Sequence, residues 1–118
     1  MVQRWVEGTG LKVAELDGHV VGASVLVTSR PDYVPRVQRR EKYLLFLVSS
    51  REHKGKGIGS VLVLQAAADA RGAGSEVLRV DCWAGAHDLI AWYERQGFAR
   101  SETFALGDWE GQVFEMTL

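Results

Sequence analysis

At 118 residues, 47% of them hydrophobic and 25% charged, the chain has the size and the ordinary composition of one globular domain. Its 14 basic and 15 acidic residues give a formal net charge of -1, so it lacks the basic excess that nucleic acid demands. No apolar run approaches the roughly 18 residues that cross a bilayer, the opening Met1–Glu7 carries no stretch of signal-peptide length, and the single Cys82 excludes an internal disulfide, so a cytoplasmic protein without nucleic-acid or membrane partners is expected.

Two apolar runs, 11–16 and 20–27, flank Asp17-Gly18, a pair that closes tight hairpins, and they predict the first two strands. Pro31 and Pro35 then break the pattern, and the charged stretch 36–42 reads as a solvated connector. The near-continuous apolar run Tyr43–Val48 suits a strand buried on both faces. A glycine-rich turn follows. Residues 58–71, with apolar positions 58, 61, 62 and 64 and then a run of alanines, predict a helix packed over most of its circumference and ended by Gly72 and Gly74. Val77–Trp83 reads as a second central strand. Ala86, Leu89, Ile90 and Tyr93 fall at i, i+3, i+4 and i+7, which puts them on one face of a short helix. Gly97 suits the left-handed cap after it, with Phe98 folding back on the last turn. Residues 98–106 and 112–118 predict two closing strands. The order β-β-β-α-β-α-β-β describes a single domain, 1–118, with a mixed sheet and flanking helices, of the α/β or α+β class.

Strand, glycine-rich turn and helix in succession make an anion site. Glycines let the backbone approach a phosphate, and the N–H groups of the first helical turn point at it. Here the turn reads Lys54-Gly55-Lys56-Gly57-Ile58-Gly59-Ser60, with Arg51 nearby to add charge. A glycine inside a helix costs about 1 kcal/mol, so Gly59 answers a need for close approach. A nucleoside-triphosphate loop requires a lysine before its closing serine or threonine, and Gly59 precedes Ser60 instead. A dinucleotide loop expects G-x-G-x-x-G with an acidic residue about 20 positions on. Asp81 meets that offset, but glycines at 55, 57 and 59 do not meet the spacing.

Lys54-Gly55-Lys56-Gly57-Ile58-Gly59 resembles the Arg/Gln-x-x-Gly-x-Gly/Ala motif of the GNAT N-acetyltransferase family, with Lys54 keeping the charge and losing the planar fork of arginine. Leu78–Gly85, followed by Tyr93-Glu94-Arg95-Gln96-Gly97-Phe98, resembles the family's fifth strand and the helix after it. The likeness runs from about Leu11 to the C-terminus. It implies an acyl-CoA N-acyltransferase-like fold with a mixed, mainly antiparallel sheet. It also implies transfer of an acetyl group from acetyl-CoA, without a metal, to a primary amine of a small-molecule or peptide acceptor by direct attack on the thioester. The pyrophosphate would lie on the backbone of the glycine loop, from Lys54 through Gly55, Lys56, Gly57, Ile58 and Gly59 to Ser60. The pantetheine arm would run along Leu47, Val48 and Ser49, where one N–H polarises the thioester carbonyl.

By the same resemblance, Tyr93 matches the tyrosine that meets the departing sulfur, as a hydrogen-bond donor or as an acid. Asp81 either accepts the amine proton, positions a cationic acceptor, or is a strand-end carboxylate satisfied by the backbone or Arg79. Ala86 stands where many members carry an asparagine that holds the CoA arm. That leaves a catalytically silent acyl-CoA-binding or assembly module as the alternative function. The family's opening strand and helices are not expected, because only residues 1–10 precede the first hairpin. An open acceptor face, or a homodimer that completes it, follows. Outside this set, Cys82 reads as a small core hydrophobe, and His19, His53 and His87 as surface residues without metal-ligand spacing. Trp83, Trp92 and Trp109 are core candidates, Trp109 being also the one best placed to line an acceptor pocket.

Overall fold

Asp17 and Gly18 both take the left-handed backbone (φ 52° and 80°) that a two-residue hairpin turn requires, and they join two antiparallel strands as expected. The computed structural model describes all 118 residues. In chain order the elements are β1 (Val2–Val6), β2 (Leu11–Leu16), β3 (His19–Val27), β4 (Glu41–Ser49), a 3-10 turn (Arg51–His53), α1 (Ile58–Gly72), β5 (Val77–Trp83), α2 (His87–Arg95), β6 (Ala99–Leu106) and β7 (Trp109–Thr117). They build one seven-stranded sheet in the order β1-β2-β3-β4-β5-β7-β6. Among neighbours only β4 and β5 are parallel, joined by the α1 crossover, whereas β5 and β6, joined through α2, are separated by β7; every other neighbouring pair is antiparallel.

The expectation of a missing first strand is corrected by β1, which pairs with β2 across a turn at residues 7–10. Its sequence, with Gln3 and Arg4 inside it, carries little strand signal. The free edge of β2 supplies the order instead. Trp5 lies beside Lys12 on the same face, 4.1 Å from its Nζ, and Lys12 in turn reaches Asp69 of α1 at 2.6 Å.

Both helices cover one face of the sheet. On α1, Ile58, Leu62, Val63, Ala66, Ala67 and Ala70 are buried, a single stripe at helical spacing, and the alanines let the helix lie close to the strands. Val61 and Leu64 stay exposed, so the helix is packed on one side rather than over most of its surface. Ile90 and Tyr93 of α2, with Phe98 and Phe114, complete this core, where each fully buried large side chain contributes about 1.5–3 kcal/mol. Gly97 (φ 103°) caps α2, and Phe98 turns back edge-on to Tyr93 at 5.7 Å.

The opposite face carries a smaller cluster of Val34, Tyr43, Phe104 and Val113. The segment between β3 and β4 closes over it, held by Arg79, which is wholly buried on β5. Its Nη2 donates to the Pro35 carbonyl (2.9 Å) and its Nη1 to Glu41 (3.2 Å), while Arg39 pairs with Glu115 at 2.6 Å. The stretch expected to be a solvated connector is therefore fastened at Arg39 and Glu41. A buried guanidinium requires such partners, since an unpaired charge there costs several kcal/mol, on the order of 3–5.

Candidate active site

The parallel pair at the centre of the sheet opens after three residues. Glu41, Lys42 and Tyr43 face Val77, Leu78 and Arg79, and beyond them β4 and β5 no longer pair. A register shift explains the divergence: Val25 pairs with Phe46 and Leu26 with Leu44, so Leu45 is an extra residue that bends β4. The expectation of a strand buried on both faces thus holds for Tyr43 and Leu44 and fails after them. Leu45, Phe46 and Val48 are 50%, 49% and 43% exposed. The wedge leaves the β5 side of β4 unpaired along Leu47, Val48 and Ser49, which pair with β3 alone.

At the wide end of the wedge the glycine loop meets the start of α1. Gly55 (φ 85°) and Gly57 (φ 74°) are left-handed, which lets the chain turn back into the helix with Gly57 at its cap. The amides of Lys54 and Lys56 are used inside the turn, on the carbonyls of Arg51 and His53, and helical bonding begins with Val61 donating to Gly57. The amides of Gly55, Gly57, Ile58, Gly59 and Ser60 have no backbone partner, and the last three point out of a helix N-terminus. Arg51, His53 and Lys54 line the cavity of about 770 Å³ around them, together with Ser49, Ser50 and Trp92. Lys56, expected at this site, does not line it. His53, expected simply at the surface, stands at its mouth with Nδ1 3.2 Å from Ser50 Oγ.

Gly59 has a role that the sequence does not reveal. A Cβ there would lie 3.0 Å from the Trp92 ring, so this glycine makes room for an indole of α2. Trp92 joins the loop cavity to a narrower cleft lined by Leu47, Val48, Ser49, Gly59, Leu89, Trp92 and Tyr93. Gly59→Val is expected to drive Trp92 into this passage and to weaken CoA binding more than about tenfold, the scale of a 1–3 kcal/mol overpacking cost, in a protein that stays folded. Calorimetric titration with CoA checks this, and unchanged affinity in the folded variant would remove the loop from the site.

Tyr93 reaches the cleft from the helix-bearing face. Burial first, and the charges of Cys82 and Asp81 after it, push its phenol well above the usual range, so it stays a neutral donor. Leu89, expected in the core stripe of α2, is exposed at the cleft wall. Ala86 caps α2 without a side-chain hydrogen bond and lies outside this cleft.

Asp81 is on the other face. Leu78, Val80 and Cys82 turn toward the helices, so the alternation of β5 sends Arg79, Asp81 and Trp83 away from them. The Tyr43 hydroxyl donates to Asp81 Oδ2 in a short hydrogen bond. Tyr43, rather than the backbone or Arg79, is the partner of this carboxylate. Burial raises the Asp81 carboxyl above the ordinary range, against the opposing pull of that bond. Cys82 is buried on the helix side, and burial pushes its thiol up to about 11. None of the three tryptophans considered for the core is fully buried. Trp83 lies over Gly85, Trp92 lines the cleft, and Trp109 sits against Phe104 with ring centroids 5.6 Å apart. No group of three or more His, Cys, Asp or Glu side chains is arranged to hold a metal ion.

The family model described as the acetyltransferase (GNAT) family matches residues 2–98. Among solved structures, the chain is similar to a nourseothricin acetyltransferase (23% identity, TM-score 0.75), covering 91% of this chain and 64% of that one. It is similar to a ribosomal-protein-alanine N-acetyltransferase from Brucella melitensis (25% identity, TM-score 0.74; 95% of this chain, 70% of that one). A putative streptothricin acetyltransferase from Bacillus anthracis, solved with acetyl coenzyme A, matches at 17% identity and TM-score 0.76 (92% and 61%). This chain thus spans somewhat less than two thirds of the length of the first and third of these. No curated protein matches it. The mixed, mainly antiparallel sheet with its two helices is the acyl-CoA N-acyltransferase-like fold.

Proposed function

The chain belongs to the GNAT family of acetyltransferases, and from that premise we propose that it transfers an acetyl group from acetyl-CoA to a primary amine by direct attack on the thioester. One observation carries the reading: the cleft along β4, where β5 has parted from it, shares Ser49, Gly59 and Trp92 with the cavity around the unpaired amides at the start of α1. The pyrophosphate lies on the amides of Gly55, Gly57, Ile58, Gly59 and Ser60, with Arg51 and Lys54 adding charge. The pantetheine arm runs along Leu47, Val48 and Ser49 and pairs with the edge of β4 that β5 leaves free. The thioester then sits where the strands part, between Tyr93 on the helix side and Asp81 on the other.

This opposition suits the reaction. An amine in its neutral form, its ammonium proton given up to solvent, approaches from the Asp81 face. The proton that its nitrogen sheds as the C–N bond forms passes to that carboxylate, directly or through water. The nitrogen lone pair forms the C–N bond, the C–S bond breaks, and the thiolate leaves toward Tyr93. With its phenol raised by burial, Tyr93 stabilises the thiolate as a hydrogen-bond donor rather than by full proton transfer, and solvent supplies the thiol proton. Amine-dependent release of free CoA thiol from acetyl-CoA, with the acetylated product identified by mass, tests the reading. Acetyl-CoA binding without thiol release for any primary amine in a broad panel would leave a silent binding module instead.

A further inference from the structure

The acceptor can be narrowed to a chemical class from the face that Asp81 occupies. β4, β5 and β7 carry three carboxylates on that face. Glu41 is paired with Arg79 and Glu115 with Arg39, whereas Asp81 has only the neutral Tyr43 hydroxyl. A single uncompensated negative charge therefore remains where the strands part. Aromatic rings stand beside it. The Tyr33 ring centroid lies 5.0 Å from that of Phe104 and the Trp109 centroid 5.6 Å from it, each at a tilt of about 40°.

This stack is built, not incidental. Phe104 lies directly over Gly111, where a Cβ would come within 2.2 Å of its ring, so only glycine at 111 lets the ring lie flat on β7. Phe104 itself is 9% exposed, while Tyr33 and Trp109 keep 45% and 40% of their surface in solvent. Tyr33 connects the two features, for it touches Phe104 and also feels the Asp81 charge. In a single folded chain, rings left half-bare around one unpaired carboxylate have no core to fill.

We propose that this face selects a protonated primary amine carried on an aromatic body, with the ammonium on Asp81 and the ring against Tyr33, Phe104 and Trp109. The inference rests on the acetyl-transfer reading for what happens next, but the binding itself does not need turnover. Carboxylate and ring faces together favour a cation, and the stacked edge of Tyr33 and Trp109 favours a planar partner over a flexible alkyl chain.

The test uses the protein loaded with CoA, which has no acetyl group to transfer. It is titrated calorimetrically with phenethylamine, with butylamine as the alkyl control and 2-phenylethanol as the uncharged one. Phenethylamine is expected to bind about tenfold or more tightly than either, as an aromatic contact and a charge contact each contribute on that scale. Trp109→Ala and Tyr33→Ala, both at exposed positions, should erase the preference over butylamine. Asp81→Asn should weaken both amines and leave 2-phenylethanol unchanged. Equal binding of phenethylamine and butylamine, or a preference that survives Trp109→Ala, overturns the proposal. Failure of the protein to bind CoA, measured by titration before the amine is added, would instead remove the acetyl-transfer reading; the amine preference is then read on the protein alone.

Discussion

Tyr93→Phe is expected to lower acetyl transfer by about 10²–10³-fold, the scale for loss of one donor to charge that develops in the transition state. The substitution keeps the ring that packs against Phe98 and Phe114 and removes only the hydroxyl at the cleft. A hydrogen bond made mainly to the departing thiolate contributes little to ground-state binding, so CoA affinity should shift by less than about 1 kcal/mol. Single-turnover measurement, where chemistry limits the rate, separates the two quantities. A melting temperature near wild type is the control. Wild-type turnover in a folded Tyr93→Phe protein would reduce Tyr93 to a core residue and leave the thiolate to solvent.

Asp81→Asn is expected to cost about 10²–10⁴-fold in kcat/KM, the range for removal of a general base. The pH dependence identifies the cause. In the wild-type protein Asp81 must be ionised to accept a proton, so activity falls as pH drops through its carboxyl pKa, which burial holds above the ordinary range. Tyr43→Phe removes the hydrogen bond that favours the carboxylate, so the acid limb should move to still higher pH. Tyr33 and Arg79 share the face with this carboxylate, and Cys82 and Tyr93 lie across the sheet; burial raises the two phenols and the thiol, away from the acid limb. Stability has the opposite sign to activity. Because the folded carboxyl holds its proton more tightly than the unfolded one, Asp81 removes stability as pH rises from the ordinary carboxylate value through the raised one. Asparagine carries no such loss, so Asp81→Asn should melt no lower than wild type at neutral pH. An acid limb unchanged in Tyr43→Phe would mean that another group sets it.

Much of the architecture was legible because local chemistry and fold agree there. Asp17-Gly18 marks a hairpin through two left-handed residues, and Gly97-Phe98 marks a helix end that turns back on itself. Val77–Trp83 and the glycine loop were placed by the same kind of signal. The errors fall where a neighbouring element decides. β1 exists because β2 offers it an edge. The apolar run of β4 looks like a buried strand, yet its second half is bare because a bulge turns it away from β5.

The sequence by itself determined the order of elements, the glycine loop, and the two motifs that point to acyl-CoA chemistry, since each depends on residues close together in the chain. Only the tertiary structure decided which amides the loop leaves free, that Gly59 yields space to Trp92, and that Tyr43 holds Asp81. It also decided that Tyr93 and Asp81 approach the wedge from opposite faces of the sheet. Those relations join residues up to 38 positions apart, across strands whose pairing stops after three residues. No periodicity records where a pair of strands parts, because the separation follows from how far a bulged strand can bend before its hydrogen bonds break.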